Sequence, residues 1–120
     1  MRTDLRRQSR GLKKNGQFRL VYSEGTREAG KRVIVYVLRR DCEEIVPGFV
    51  ASRKIGKACQ RNRAKRLMRE TFRRLQDRIV EKNLWIVFIA SFRPQECTFQ
   101  EIFQDVESSL GRAGLISTNG

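Results

Sequence analysis

Apolar positions along the chain alternate between helical and strand spacing, and each stretch predicts one element. Phe18, Val21 and Tyr22 fall at i, i+3 and i+4, one face of a short helix that Asn15 would cap and Gly25 would end. Val33–Leu38 is rich in β-branched residues and predicts a strand. Its odd positions, Val33, Val35 and Val37, share one face; Ile34, Tyr36 and Leu38 share the other. Arg40–Glu44 is charged turn material, and Phe49–Ser52 predicts a second short strand after Pro47-Gly48. Glu44–Val46 is a candidate third strand, with a bend at the proline.

The longest helical segment is Ala58–Ile79. Ala64, Leu67, Met68, Thr71, Phe72, Leu75 and Ile79 fall within about 140° of arc at ~100° per residue. Asn62, Lys65, Arg66, Arg69 and Arg73 occupy about 100° of the opposite side. One stripe is therefore core and the other cationic. Leu84–Ala90 is a nearly continuous apolar run, the pattern of a central strand covered on both faces. Arg93-Pro94 ends it. Thr98 and Glu101 form a capping-box pattern opening a helix with Ile102, Phe103, Val106 and Leu110 inward, and Gly111 is its expected stop. The order is α-β-β-(β)-α-β-α, an α+β or α/β sandwich in which the long helix and the strand after it form one crossover unit. No repeat or low-complexity tract interrupts it.

Length adds that this is a single domain: 120 residues, 39% hydrophobic, allow one modest core. Met1–Arg10 reads as a flexible basic arm and Ile116–Gly120 as a frayed tail. No apolar run approaches the roughly 20 residues of a membrane span, and the basic N-terminus lacks the apolar segment of a secretory signal.

Charge changes the picture more. Lys and Arg number 26 against 13 Asp and Glu, a net +13. The excess sits in two segments: Met1–Tyr22 carries +6 and Arg53–Arg78 carries +9, while Ile79–Gly120 is slightly acidic. The helix face in the second segment is almost purely cationic. Ordinary solvated faces mix signs, because like charges at i, i+4 cost stability. A polyanionic partner that supplies the counter-charge accounts for this, and the predominance of Arg suits phosphate. A membrane-surface helix fits poorly, because the apolar stripe of this mid-chain helix is needed for the core. DNA and RNA both remain open on charge alone.

Candidate chemistry is sparse. Histidine is absent, which excludes His-based catalysis and zinc sites with His ligands. Cys42, Cys59 and Cys97 are an odd number with no CxxC; they read as unpaired thiols and suit a reducing, cytoplasmic compartment. Glu70 and Asp77 are the acids of the basic helix, too few for a metal-dependent nuclease. Three classes remain: a subunit of an RNA-based endonuclease, a binding-only module such as a ribosomal protein or RNA chaperone, and, weakest, a protein nuclease in its own right.

One run separates them. Ser52-Arg-Lys-Ile-Gly-Lys-Ala-Cys-Gln-Arg-Asn-Arg-Ala-Lys-Arg-Leu-Met-Arg-Glu70 closely resembles the signature of the bacterial ribonuclease P protein family. That signature is a Ser-Lys-Lys-x-Gly-x-Ala segment running into an Arg-Asn-Arg-x-Lys-Arg-x-x-Arg-Glu helix. Upstream, Leu12-Lys13-Lys14 followed by Phe18, Tyr22 and Gly25 resembles the family's first helix, so the similarity extends from Leu12 to Leu110. Arg53-Lys54 stands for the family's Lys-Lys. A common acid before the last strand is replaced, with Asn83 or Trp85 nearby, and the usual Ala-Arg-Pro end is spread over Ala90–Pro94, which leaves Arg93 outside the expected sites.

The resemblance implies an α-β-β-β-α-β-α single domain with a four-stranded sheet packed by helices and a left-handed βαβ crossover, against the usual right-handed rule. It also implies an accessory protein subunit of ribonuclease P. That enzyme removes the 5′ leader of precursor tRNA, with magnesium held mainly by the RNA subunit and substrate, and catalysis by the RNA. No catalytic residue, dedicated metal site or obligate protein partner is expected in this chain. By the resemblance, Arg53, Lys54, Lys57, Arg61, Asn62, Arg63, Lys65, Arg66 and Arg69 face the RNA subunit. Phe18, Tyr22 and Tyr36 hold the leader. Stacking on aromatic rings over a positive groove tolerates varied sequences, as a subunit handling many leaders requires. Apart from the resemblance, Phe18 and Tyr22 at i, i+4 are more often core than stacking platform.

Overall fold

The computed structural model describes residues 11–116. Helix α1 (Asn15–Glu24) leads into strands β1 (Thr26–Ala29), β2 (Val33–Arg39) and β3 (Val46–Val50). A 3-10 turn at Arg53–Ile55 precedes α2 (Ala58–Leu75); β4 (Leu84–Ala90) and α3 (Phe99–Arg112) complete the order. The expected arm at Met1–Arg10 lies outside the described residues. So does the expected tail, except Ile116, whose side chain is buried. Among the described residues no helix is long and apolar enough to cross a membrane.

The four strands form one sheet in the order β1-β2-β4-β3. β2 is antiparallel to β1 and to β4, with Val33 opposite Ala90 and Arg39 opposite Leu84. β3 is parallel to β4, with Val46 opposite Trp85 and Val50 opposite Ile89. β4 therefore lies between two partners, which is why it reads as a continuous apolar run. The β3-α2-β4 segment is the crossover unit joining these parallel neighbours.

The period-2 alternation of β2 divides two cores. Val33, Val35 and Val37 join Ile86 and Phe88 under α2 and α3, where Met68, Leu75, Ile102, Val106 and Leu110 are fully enclosed. Phe88 stacks on Phe49 at 5.3 Å between ring centroids, with Phe72 tilted against it at 5.7 Å. On the other face, Val21 of α1 and Val87 of β4 are buried, while Tyr36, Leu38, Trp85 and Ile89 are only partly covered. One ten-residue helix covers this face incompletely, leaving room beside it.

Several expected boundaries move. β1 was not expected: Thr-Arg-Glu-Ala has no apolar alternation and sits exposed at the sheet edge. It is held by its ladder to β2 and by Asp105 of α3, whose carboxylate accepts the N–H groups of Lys31, Arg32 and Val33 at 2.8–3.0 Å. The strands expected at Glu44–Val46 and Phe49–Ser52 are a single strand running through Pro47-Gly48. Pro47 is tolerated because β3 is an edge strand and its carbonyl faces outward, accepting Leu12 N–H at 2.8 Å. α2 stops at Leu75 and tightens into a 3-10 turn, yet Ile79 still packs in the core. α3 continues past Gly111 to Arg112; Gly114, at φ 79°, supplies the left-handed turn instead, and Leu115 N–H returns to Leu110 O at 3.0 Å. Its start is as expected, with reciprocal Thr98 and Glu101 bonds of 3.1 and 2.9 Å. Asn15 is the first residue of α1 rather than its cap; Gln17 Oε1 accepts the N–H groups of Lys13 and Lys14, both at 2.9 Å.

Candidate nucleic-acid interface

The three expected aromatic residues meet where α1 packs on the sheet, Phe18 and Tyr22 coming from α1 and Tyr36 from β2. The Tyr22 and Tyr36 rings meet edge to face at 5.0 Å, and Phe18 and Tyr22 are 6.4 Å apart. Tyr22 is 38% exposed, while Phe18 and Tyr36 are half-buried, so the group is neither plain core nor a free surface. Burial and the neighbouring Tyr36 both raise the Tyr22 phenol above its ordinary value, so it stays neutral and remains a stacking ring at physiological pH. Phe18 and Tyr22 line a cleft floored in part by Val50 and rimmed by Lys13, Arg19 and Lys65. Gly48 lets Phe18 lie close to β3: a Cβ there would meet the ring at 2.7 Å.

The second expected surface is built from a turn and the start of α2. Ser52 Oγ accepts Lys54 N–H at 3.3 Å, and Ile55 plugs the turn into the core. Gly56, at φ 139°, reverses the chain in a conformation closed to other residues. These anchors leave Arg53, Lys54 and Lys57 exposed around the helix N-terminus. No acid lies in the first turn of α2, so the cations add to the positive end of the helix dipole.

Along α2, Asn62, Arg63, Arg66 and Arg69 are exposed, while Arg61 and Lys65 are half-buried. They do not all serve one surface. Arg61 Nη1 donates to Gly56 O at 2.9 Å and braces the turn. Lys65 lies on the flank that rims the aromatic cleft. The Arg69 guanidinium sits 5.4 Å from the Phe49 ring centroid. By contrast, Glu70 binds both Arg73 and Arg74, at 2.6 and 2.8 Å, and the two guanidinium groups hold its carboxyl down to about 2. Arg73, the last member of the expected cationic stripe, is thus engaged by the protein itself. Arg53, Lys54, Lys57, Arg63, Lys65 and Arg66 form no ion pair with a carboxylate among the described residues, so their charge is available to a partner.

The sequence reading missed Lys13, Arg19 and Gly48 at the cleft. Lys13 belongs to the Leu12-Lys13-Lys14 run, which signals charge but not position. Gly48 next to Pro47 reads as a turn, and only the approach of Phe18 gives it another use. The three cysteines are free thiols.

An incompletely covered four-stranded sheet, an aromatic cleft and an adjoining cationic helix define a small basic α+β protein with surfaces suited to a polyanion. The ribonuclease P family model matches residues 5–114. The ribonuclease P protein component of Clostridioides difficile is 34% identical over 107 residues, covering 89% of this chain and 94% of that protein. The component from Symbiobacterium thermophilum is 40% identical over 110 residues, covering 91% and 95%. The solved ribonuclease P protein of Staphylococcus aureus superposes with a TM-score of 0.79 at 27% identity, covering 91% of this chain and 99% of that one. The chain belongs to the ribonuclease P protein family, whose members are the protein component of the ribonucleoprotein endonuclease that processes the 5′ end of tRNA.

Proposed function

We propose that this chain binds the catalytic RNA of ribonuclease P through the Arg53–Lys57 turn and the outer face of α2, and holds the single-stranded 5′ leader of precursor tRNA in the aromatic cleft. The observation that carries this reading is the series of ring contacts Phe18–Tyr22–Tyr36, of which Phe18 and Tyr22 line the cleft together with Lys13, Arg19 and Lys65 while Tyr36 backs Tyr22. Aromatic faces over a positive groove hold unpaired bases without demanding a sequence. On the turn and α2, Arg53, Lys54, Arg63 and Arg66 project charges that pair with no carboxylate among the described residues, and guanidinium groups match phosphate.

Chemistry in this reading stays with the RNA. Among the described residues no three Cys, Asp or Glu side chains are gathered where they could hold one metal ion. In this reading magnesium is held by the RNA and substrate, and the protein contributes by binding the leader and lowering the repulsion between two polyanions. The cytoplasm, where precursor tRNA is processed in bacteria and thiols stay reduced, is the compartment this implies.

The test is cleavage of a precursor tRNA at low magnesium by a bacterial ribonuclease P RNA, with and without this protein, and by the protein alone. Cleavage at the mature 5′ end is expected to recover only when both are present. RNA-independent cleavage that persists through further purification would overturn the assignment of the chemistry.

A further inference from the structure

The segment Gly11–Lys14 is a wall shared by two clefts. Its backbone is fixed to the sheet: Leu12 N–H donates to Pro47 O, the Leu12 side chain is buried, and Gln17 ties the next two amides. On one side lies the aromatic cleft. On the other, a second cleft opens between this segment, the outer edge of β3 and α2, reaching Arg69 and Arg73. Leu12, Lys13, Phe49 and Lys65 line both, so the two adjoin at Lys13 and Lys65.

The second cleft has the makings of a nucleotide subsite. Arg69 is an exposed, flat cation supported by the Phe49 ring, able to stack on a base or bind a phosphate. Among the described residues lining it, Glu44 is the one carboxylate and is itself engaged, against four cations, of which Arg73 is held by Glu70. A strand leaving the aromatic cleft on this side meets further positive charge.

We propose that the precursor leader continues past Lys13 and Lys65 into this second cleft, with a backbone phosphate between the two ammonium groups and a more distal nucleotide on the Arg69–Phe49 pair. This rests on the assignment of the aromatic cleft to the leader. Single-strand grooves work by combining a continuous cationic track with spaced platforms, and Lys13 joins the two platforms here. Lys13 would therefore sense leader length, whereas Phe18 senses only that a leader is present.

The experiment measures affinity of the assembled RNA–protein enzyme for precursors whose leaders grow one nucleotide at a time, with mature tRNA as the zero point. Phe18→Ala, Lys13→Gln and Lys13→Arg are compared, each confirmed as folded by its melting curve. Lys13→Gln is expected to bind about three- to tenfold more weakly, and to flatten the salt slope by about 0.7, only beyond a threshold leader length. That threshold should exceed the length at which Phe18→Ala first matters, and Lys13→Arg should restore binding. A Lys13→Gln loss already present with mature tRNA places this lysine on the RNA subunit or tRNA body and overturns the proposal; no loss at any length does the same. In both cases a leader-dependent Phe18→Ala defect leaves the leader reading standing. A Phe18→Ala defect independent of the leader removes both.

Discussion

Gly48 of β3 lies directly against the Phe18 ring, so close that a Cβ on Gly48 would come within 2.7 Å of Phe18 Cε1 and 3.2 Å of Leu12 Cβ. The missing side chain of one residue thus sets the position of the first ring of the aromatic cleft. Gly48→Ala is expected to lose about 1–3 kcal/mol of stability through overpacking and to displace Phe18 from the sheet. Combining it with Phe18→Ala should relieve the clash, so that the two losses do not add. Urea titration of the single and double variants measures this; strict additivity would mean that the ring does not rest on Gly48.

Asp105 makes a comparable link on the opposite side of the sheet. Its carboxylate accepts three consecutive backbone N–H groups from the β1–β2 turn, and a Cβ on Gly30 would collide with it. Asp105→Asn keeps the shape but removes the charge and replaces one acceptor oxygen with a donor. A stability loss of about 1–3 kcal/mol is expected, with faster hydrogen exchange at the amides of Lys31, Arg32 and Val33. Unchanged exchange at those amides would refute the role given to this carboxylate.

Gly48 and Asp105 mark the limit of what was legible in the sequence. β2, α2 and α3 bury one face and write periods of 2 and 3.6 in their apolar residues, while β4 buries both and writes an unbroken apolar run. β1 buries little and is specified by backbone pairing and by Asp105, more than 70 positions away; no local pattern encodes that. Pro47-Gly48 carries a strong local turn signal, but pairing with β4 keeps it in a strand. At the site, the basic run was legible by type and spacing, whereas the grouping of Phe18, Tyr22 and Tyr36 came from the family resemblance. What spacing could not supply was direction. Arg61 turns back to brace Gly56, Arg73 is taken by Glu70, and Lys65 flanks the cleft rather than crowning the outer stripe.

The Glu70 pairings carry a pH dependence of definite sign. The carboxyl is held at about 2 against an ordinary 4.5. A group whose folded value is depressed contributes its full stabilisation above the ordinary value and loses it as pH falls towards the folded one. The stability of α2 should therefore decline between about pH 4.5 and 2, and Glu70→Gln should remove that component. Because the site is open to solvent, salt should shrink the effect. Carboxyl NMR titration gives the value directly; a Glu70 midpoint near 4.5 would show that the pairings do not persist in solution.

Arginine side chains and aromatic rings should leave different signatures on RNA binding. Arg66 and Arg69 project from α2 away from its buried stripe, so replacing both by Ala should leave the fold intact and weaken RNA binding, at the RNA subunit through Arg66 and at the distal leader through Arg69. Removing each arginine–phosphate pair should flatten the slope of log K against log salt by about 0.7–0.9. Met68→Ala, one position from Arg69 but fully buried, should instead lose about 2–5 kcal/mol of stability with little change in the affinity of the folded protein. Phe18→Ala belongs to a third class. Losing a stacked base weakens binding by about 1–3 kcal/mol, and stacking releases no counterions, so the salt slope should barely move. The loss should be seen with precursor tRNA and vanish with mature tRNA. Measuring both affinities across a salt series, on samples shown to be folded, separates the classes. Equal losses for the two tRNA forms would make Phe18 a core residue only, and an unchanged slope in the arginine variant would remove α2 from the RNA-binding surface.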